Sequence, residues 1–578
     1  MVSNDLSLAA SFLSSGSHRS ALKLAKRMQR SSPSDPLPWN IAGICLSAMN
    51  KLPEAIAQFQ RALKVDPGFT DARLNLAQTL ILAGRYEQAI KAMQPIGSKD
   101  QKASFFLAQA YFRLGDMTPA ETAIDHSVLL DDRFAPALNL QGLIRLAQGR
   151  ECDAIAAFEA ALTADPNNVE TLVNISLPLA RQNRHQDGHR MAERAVQLAP
   201  THIGARLRLG TSFMEKGQFP EAEEQFLEIL NLEPSNAQAI AQLSRITPRK
   251  RLAHLERSAA KALRKARKSS MDAAEIQFAL SRIHDVGGDL AAAAKARQDA
   301  NGTLAKLLHY DPQADSHETA RILAKFPTAP AVAGQTGTSP YPIYVLGLPR
   351  SGTSLVEAML SRAPNVETLG ERAATGFLLS EHLASDDCFS SQDAEAFAKN
   401  HDALLPDMAP DTVAFVDKMP ENYRYIGFLK TAFPQCKIIH VIRDPRDTAL
   451  SMWKTHFSGR ALNYTYDQEA MAHRFALHAR MMAHWKSLFP GQILTVSYED
   501  LATDPIGSSQ AIASYCGMNW VPEMAAPEGS DAPTLTASAS QIRQPVHNRS
   551  IGQWRQHKEE LAPFLAALDA SLWPGLTG

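Results

Sequence analysis

Small and large apolar residues recur through the first half of the chain with a period of 34 residues. Gly43, Ala77, Ala108, Gly142 and Gly210 share one phase of this period, and Gly16, Gly84, Gly115, Gly149 and Gly217 share a second, seven residues on. Ala21, Ala55, Ala89, Ala120, Ala154 and Ala222 follow five later, and Phe59, Phe158 and Phe226 fill a large-residue slot. Pro33, Pro67, Pro166, Pro200 and Pro234 lie on the same lattice, with Asp132 standing in for a proline, and only the interval from 67 to 132 breaks it, holding two units in 65 residues rather than 68. Each unit therefore predicts two helices that approach closely at small residues, a glycine turn between them, and a proline that ends the second. About seven units cover residues 2–234, the sixth being the weakest, with Ser176, Asn183 and Gly188 at the small, turn and alanine positions.

The pattern then changes twice. Residues 249–268 carry nine Lys/Arg against one Glu, with Leu252, Leu255, Ala259, Ala262 and Ala266 at helical spacing. This reads as an amphipathic helix with a solvated basic face, an anion-binding patch being the alternative. Asp272 to about His309 predicts another helical pair, turning at Gly287 and Gly288, and residues 327–340 read as a Pro/Gly/Ala/Thr-rich linker. Beyond it, short apolar strand candidates at 343–346, 413–416, 437–442 and 493–497 alternate with helical stretches such as 352–362, 422–432 and 468–488. Such alternation predicts a parallel sheet covered by helices, with ligands at the carboxyl ends of the strands. The expected organisation is a repeat array at 1–234, a further helical region at 235–326, the linker, and an α/β domain at 341–578.

Bulk properties narrow the functional classes. A chain of 578 residues exceeds one ordinary core. With 59 basic and 60 acidic residues, it has no general charge bias toward nucleic acid or a membrane surface. Cys45, Cys152, Cys388, Cys436 and Cys516 have neither metal-ligand nor disulfide-framework spacing. No signal peptide or membrane-spanning run is evident, so a soluble, cytoplasmic protein is expected.

Chemistry concentrates at the four strand ends. Ile343 to Leu346 leads into Gly347-Leu-Pro-Arg350-Ser351-Gly352-Thr353-Ser354, where loop N–H groups and a helix N-terminus converge on an anion site. The spacing nearly matches the nucleotide P-loop, but its lysine is absent and Arg350 is the nearest cation. The other ends carry Asp417-Lys418-Met419-Pro420; His440-Val-Ile-Arg443-Asp444 leading to Ser451; and Ser497-Tyr498-Glu499-Asp500.

The 34-residue pattern resembles the tetratricopeptide repeat (TPR), which implies a solenoid binding a protein or peptide on its concave face. The alternative is that the array scaffolds the rest or mediates self-association, as in a homodimer. Residues 341–560 resemble a sulfotransferase, the P-loop-related family that uses 3′-phosphoadenosine-5′-phosphosulfate (PAPS) without a metal. Leu369-Gly370-Glu371 and Asp417-Lys418-Met419-Pro420 are most similar to the tyrosylprotein sulfotransferase branch. That resemblance implies 5′-phosphosulfate binding by Arg350, Ser351, Gly352, Thr353 and Ser354, and 3′-phosphate binding by Arg443 and Ser451. It implies Lys418 at the leaving group and Glu371 as the base for an acceptor hydroxyl, on tyrosine, a glycan, a lipid or a small molecule. Ser538 and Arg543, with Arg549, Arg555 and Trp554, fit a last nucleotide-covering segment, although Gln553 stands where that branch has lysine.

Other readings remain open for single residues. Arg350 is alternatively a partner of Glu357 or Glu371, Glu371 a helix cap, and Asp417 a magnesium ligand in an NTPase, while Tyr498 is expected beside the nucleotide, a core aromatic being the alternative. Other sulfotransferase branches use a histidine as base, and His440 and His456 are nearby in sequence, but His440, inside a strand, reads as packed. Functionally, the competing expectations are a TPR adaptor with a catalytically silent nucleotide domain and a P-loop kinase or NTPase.

Overall fold

In the repeats, a small residue on one helix lies under a large residue on the next. A Cβ on Gly43 would sit 2.5 Å from the Phe59 ring, on Gly142 2.5 Å from Phe158, and on Gly210 2.6 Å from Phe226. Close approach therefore demands glycine at these places. Where alanine takes the small position, the large one shrinks: Ala77 packs in one cluster with Met93, Ala108 with Ile124, and Ala9 with Ala25. In the Gly–Phe, Ala–Met and Ala–Ile pairs the summed volume is nearly the same, while the Ala9–Ala25 pair of the first repeat is smaller. Gly16, Gly84, Gly115, Gly149 and Gly217 all have positive φ at the turns, and Asn50 adopts the same left-handed conformation in the second repeat. The weak sixth repeat has its own solution. Gly188 lies so close to Ser176 that a Cβ would meet the Ser176 carbonyl oxygen at 2.3 Å, and the Ser176 hydroxyl donates to the Gly188 carbonyl at 2.6 Å.

The computed structural model describes residues 2–182, 184–330, 340–457, 461–529 and 546–573. Asn183 and positions 331–339 of the expected linker lie outside them. Two compact units form, residues 1–175 and 176–578. The first is built of paired helices from Val2–Ser14 to Glu151–Ala164. The second continues with helices from His185–Leu198 to Pro312–Ala324, followed by a five-stranded, wholly parallel sheet. No described helix is long and apolar enough to cross a membrane. The architecture is thus a helical-repeat solenoid followed by an α/β domain.

The strands are β1 (Tyr341–Gly347), β2 (Val366–Thr368), β3 (Ala414–Asp417), β4 (Lys437–Ile442) and β5 (Ile493–Ser497), in spatial order β2-β3-β1-β4-β5. Because β1 is central and the chain moves to one side of it and then to the other, a crevice opens at its carboxyl end. Ile343, Val345, Val416, Ile439 and Val441 pack on one face of the sheet, and Tyr344, Leu346 and Ile438 on the other.

The helices before the sheet are joined to it by buried contacts. Ile322 and Phe326 enter the same core as Tyr344, Leu346, Ile438 and Trp485. Asp315 accepts from Tyr310 at 2.6 Å, Arg474 at 2.6 Å and Arg424 at 3.2 Å, and Arg474 also pairs with Glu421. Arg297, with no exposed surface, donates to both oxygens of Glu560 at 2.7 and 2.8 Å and to Asp285 at 2.7 Å. The basic helix spans Leu252–Lys265 and buries Leu252, Leu255, Ala259 and Ala262, leaving its cations outward.

The size rule is testable in one repeat. Gly142→Ala should destabilise the chain by about 1–3 kcal/mol by overpacking against Phe158. Gly142→Ala combined with Phe158→Met should recover most of that loss, read as the denaturant midpoint of the first transition.

Candidate active site

Gly347, at the end of β1, has a φ of 150°, and a Cβ there would meet the Val441 carbonyl oxygen at 2.4 Å. The loop that follows is consequently pressed against β4. Arg350 has a φ of 69°, a left-handed conformation disfavoured for a residue with a Cβ. Two contacts hold it there. Arg443 Nη1 donates to the Arg350 carbonyl at 3.2 Å, and Arg350 Nε donates to Ser451 Oγ at 3.0 Å. Gly352 then turns left-handed as N-cap of the helix Thr353–Leu360, whose first N–H groups face the crevice end of β1. Thr353 and Ser351 are buried and Ser354 half-buried.

Arg443 follows β4 and stacks over the Tyr498 ring at 4.5 Å, while its Nη2 donates to the Ser550 carbonyl at 2.6 Å. Tyr498 also lies against Gly352, where a Cβ would fall 2.8 Å from its Cδ2. The aromatic is thus wedged between the Gly-rich loop and Arg443. Two buried polar atoms, Ser351 Oγ and Arg443 Nε, have no hydrogen-bond partner among the described residues. Both belong to this cluster, and each is a donor free for an anionic ligand. Burial, then the neighbouring Arg443 charge, pushes Arg350 down to about 10. The site concentrates positive charge.

The second cluster forms at β3. Lys418 has no exposed surface, and its Nζ lies 2.5 Å from Glu371 Oε1 and 3.7 Å from Glu357 Oε2. Backbone pairing sets this up. Leu369 N donates to the Val416 carbonyl at 2.8 Å and Lys418 N to the Gly370 carbonyl at 3.0 Å, which extends the β2–β3 ladder to Glu371 and Lys418. Glu357 comes from the helix that begins at the Gly-rich loop and accepts a bond from the Gly370 backbone N–H. Burial raises the Glu357 pKa against the opposing pull of Lys418. Glu371 keeps 49% of its side chain exposed, so it faces both the buried ammonium and solvent.

Both carboxylates offered by the sequence as partners of Arg350 are therefore beside Lys418. Glu357 is not among the expected site residues, and no signal in the sequence could have found it, because its place beside Lys418 depends on where the Gly370 backbone falls. Asp417 is buried, accepts from Asn422 at 3.3 Å, and is pushed up to about 7 by burial. His440 is buried against His478, with Nε2 atoms 3.2 Å apart. His456 stacks on Phe278 at 5.5 Å. In the tail, Trp554 lies under Arg446 at 4.0 Å and Arg555 at 5.2 Å, and Asp447 accepts from the backbone N–H groups of Gly552 and Trp554 at 2.6 and 2.9 Å. Ser538 and Arg543 lie outside the described residues.

Because the Asp417 pKa is raised above its unfolded value near 4, the native state holds the extra proton, and stability falls as pH rises from about 4 to about 7. Asp417→Asn removes this loss. Relative to the parent chain, the variant should gain stability between pH 5 and pH 8, by up to about 3 kcal/mol, read as the shift in denaturant midpoints at the two pH values.

Comparison with known proteins agrees with the two-part architecture. Residues 342–522 match the model of the sulfotransferase family, and residues 39–246 match a TPR model described as the cilia and flagella-associated protein 70 C-terminal domain. An uncharacterised protein of Aquifex aeolicus is 24% identical over 563 residues, covering 91% of this chain and 73% of that protein. A putative protein-tyrosine sulfotransferase of Caenorhabditis briggsae is 26% identical over 254 residues, covering 39% of this chain and 88% of that protein. Among solved structures, a chain of the Cut9–Hcn1 assembly superposes with a TM-score of 0.38 at 20% identity, covering 42% of this chain and 48% of that one. The chain carries a TPR-type region in its N-terminal half and a sulfotransferase-family domain in its C-terminal half.

Proposed function

We propose that the α/β domain, beginning near Tyr341, transfers a sulfuryl group from PAPS to a hydroxyl of an acceptor that the TPR array recruits or orients. The observation that carries this reading is the buried Lys418 ammonium in contact with the half-exposed Glu371 carboxylate, beside a Gly-rich loop that lacks the P-loop lysine. Bound, PAPS supplies an activated sulfuryl group on a phosphate leaving group. The loop N–H groups, Arg350 and the Ser351 hydroxyl fit the phosphosulfate, and Arg443 with Ser451 fits the 3′-phosphate. The unpartnered Ser351 Oγ and Arg443 Nε are what such a ligand would satisfy.

Glu371 reaches solvent and is placed to accept the acceptor hydroxyl proton. Lys418, dry and fixed, is placed to stabilise charge on the departing phosphate oxygen without reorganising. Asp417 does not suit an NTPase reading, since one oxygen is taken by Asn422 and burial favours its neutral form. The Caenorhabditis briggsae relative makes a peptide tyrosine the first acceptor to try. Recruitment of a protein or peptide by the repeats is the part of this reading that rests on the TPR match.

Calorimetry of the full chain should show binding of adenosine 3′,5′-bisphosphate and not of ATP-Mg, and the reverse result would sink the proposal. Lys418→Ala and Glu371→Ala should each lower label transfer from PAPS into a lysate of the source organism by at least about 100-fold while the bisphosphate still binds. Unchanged transfer would remove both residues from the chemistry.

A further inference from the structure

The cluster around Arg350 draws positive charge from a part of the chain that precedes the sulfotransferase-family domain. Phe278, on the helix Met271–Gly287, stacks on His456 with ring planes 16° apart and packs in one cluster with Tyr466. Tyr466 in turn donates to the Phe457 carbonyl at 2.8 Å and accepts from the Phe457 N–H at 3.1 Å, fixing the stretch just past the Ser451 helix. Asn301, on the helix Leu290–Leu308, donates to the carbonyl of Trp453, the last residue of that helix, at 3.0 Å. These helices are thus built onto the end of the element that presents Ser451 to Arg350.

Arg282 lies one turn after Phe278 and so on the same helix face. Its Nε donates to the Ser244 carbonyl at 3.1 Å, which brings the neighbouring Arg245, on the helix Ala237–Ile246, to the same place. Both arginines are exposed, and Arg245, Arg282 and Arg443 make no ion pair among the described residues. Glu275 acts on Arg245 and Asp285 on Arg282 through their charge, but neither carboxylate forms an ion pair with them among the described residues. Asp285 pairs with Arg297 at 2.7 Å and Lys454 at 3.5 Å, and burial pushes Glu275 up to about 7. The charges of Arg245 and Arg282 also act on Arg350, after burial and Arg443, and that of Arg245 acts on His456. Like charges gathered without a paired carboxylate are stable when an anion joins them.

We propose that Arg245 and Arg282 complete the binding site for the 3′-phosphate of the nucleotide donor, supplied from the helical region rather than from the α/β domain. The inference rests on the sulfotransferase reading of the site. It assigns the opposite end of the donor to Lys418, Arg350 and the loop N–H groups, and this end to the three guanidinium groups of Arg245, Arg282 and Arg443 with Ser451. The helical region then serves as part of the donor site as well as a connector.

The test compares the full-length parent with Arg245→Ala/Arg282→Ala by calorimetry, using adenosine 3′,5′-bisphosphate and adenosine 5′-monophosphate at one ionic strength. The double variant should lose about tenfold in affinity for the bisphosphate, with the monophosphate unchanged, which also reports that the site is folded. Arg245→Lys/Arg282→Lys should fall between the two. An unchanged preference for the bisphosphate, or an equal loss for both nucleotides, overturns the assignment of these arginines alone. A parent chain that binds neither nucleotide overturns the donor reading along with it.

Discussion

An ammonium with no exposed surface persists only where carboxylates compensate for its lost hydration. Lys418 is such a group, and the local architecture around it can be traced to that need. The three residues of β2 pair with β3 so that Gly370 reaches the Lys418 backbone and Glu371 its side chain. The helix after the Gly-rich loop brings Glu357 from the other side and ties it to the Gly370 N–H. Loop, β2 extension and β3 end are thereby one hydrogen-bonded piece, so the Gly-rich loop and Glu371 share a rigid frame. Preorganisation of this kind is what charge stabilisation in a transition state requires.

Much of this was legible in the sequence because it depends on short-range pattern. Strands β1, β3, β4 and β5 are runs of apolar residues ending in turn or charged residues, and their predicted bounds differ from those in the structure by two residues or fewer. The helix Gln468–Leu488 coincides with its expected range. β2 was missed because three half-buried residues, Val-Glu-Thr, carry no apolar run, and their strand character comes entirely from pairing with β3. The helical stretch expected at 422–432 begins as a 3₁₀ turn over Pro420–Tyr425, where Asn422 bonds back to Asp417.

Long-range contacts were beyond sequence pattern. Nothing in the spacing of Glu357 tells it from any other helical glutamate, and its role depends on where the Gly370 backbone falls. The pairing of Arg297 with Glu560 joins residues 263 positions apart. Asp315, Arg474 and Glu421 likewise come together only once the helix Pro312–Ala324 is docked, three residues beyond Lys418. These buried pairs carry a high penalty when one partner is removed, so they fix the docking of the helices more than they add net stability. The expected division of the chain places a linker at 327–340 between helices and sheet, and Phe326, the residue immediately before it, is buried in the sheet's own core.

The paired small and large positions of the repeats have a consequence for anyone averaging them. Glycine occurs with phenylalanine, alanine with methionine, isoleucine or alanine, and serine with alanine, as at Ser176 and Ala192. A consensus unit that takes the commonest residue column by column can join alanine to phenylalanine, a combination present in no unit of this chain and one that sets a methyl group inside an aromatic ring. The heritable unit is the pair, and substitutions at the two columns are expected to be accepted together or not at all.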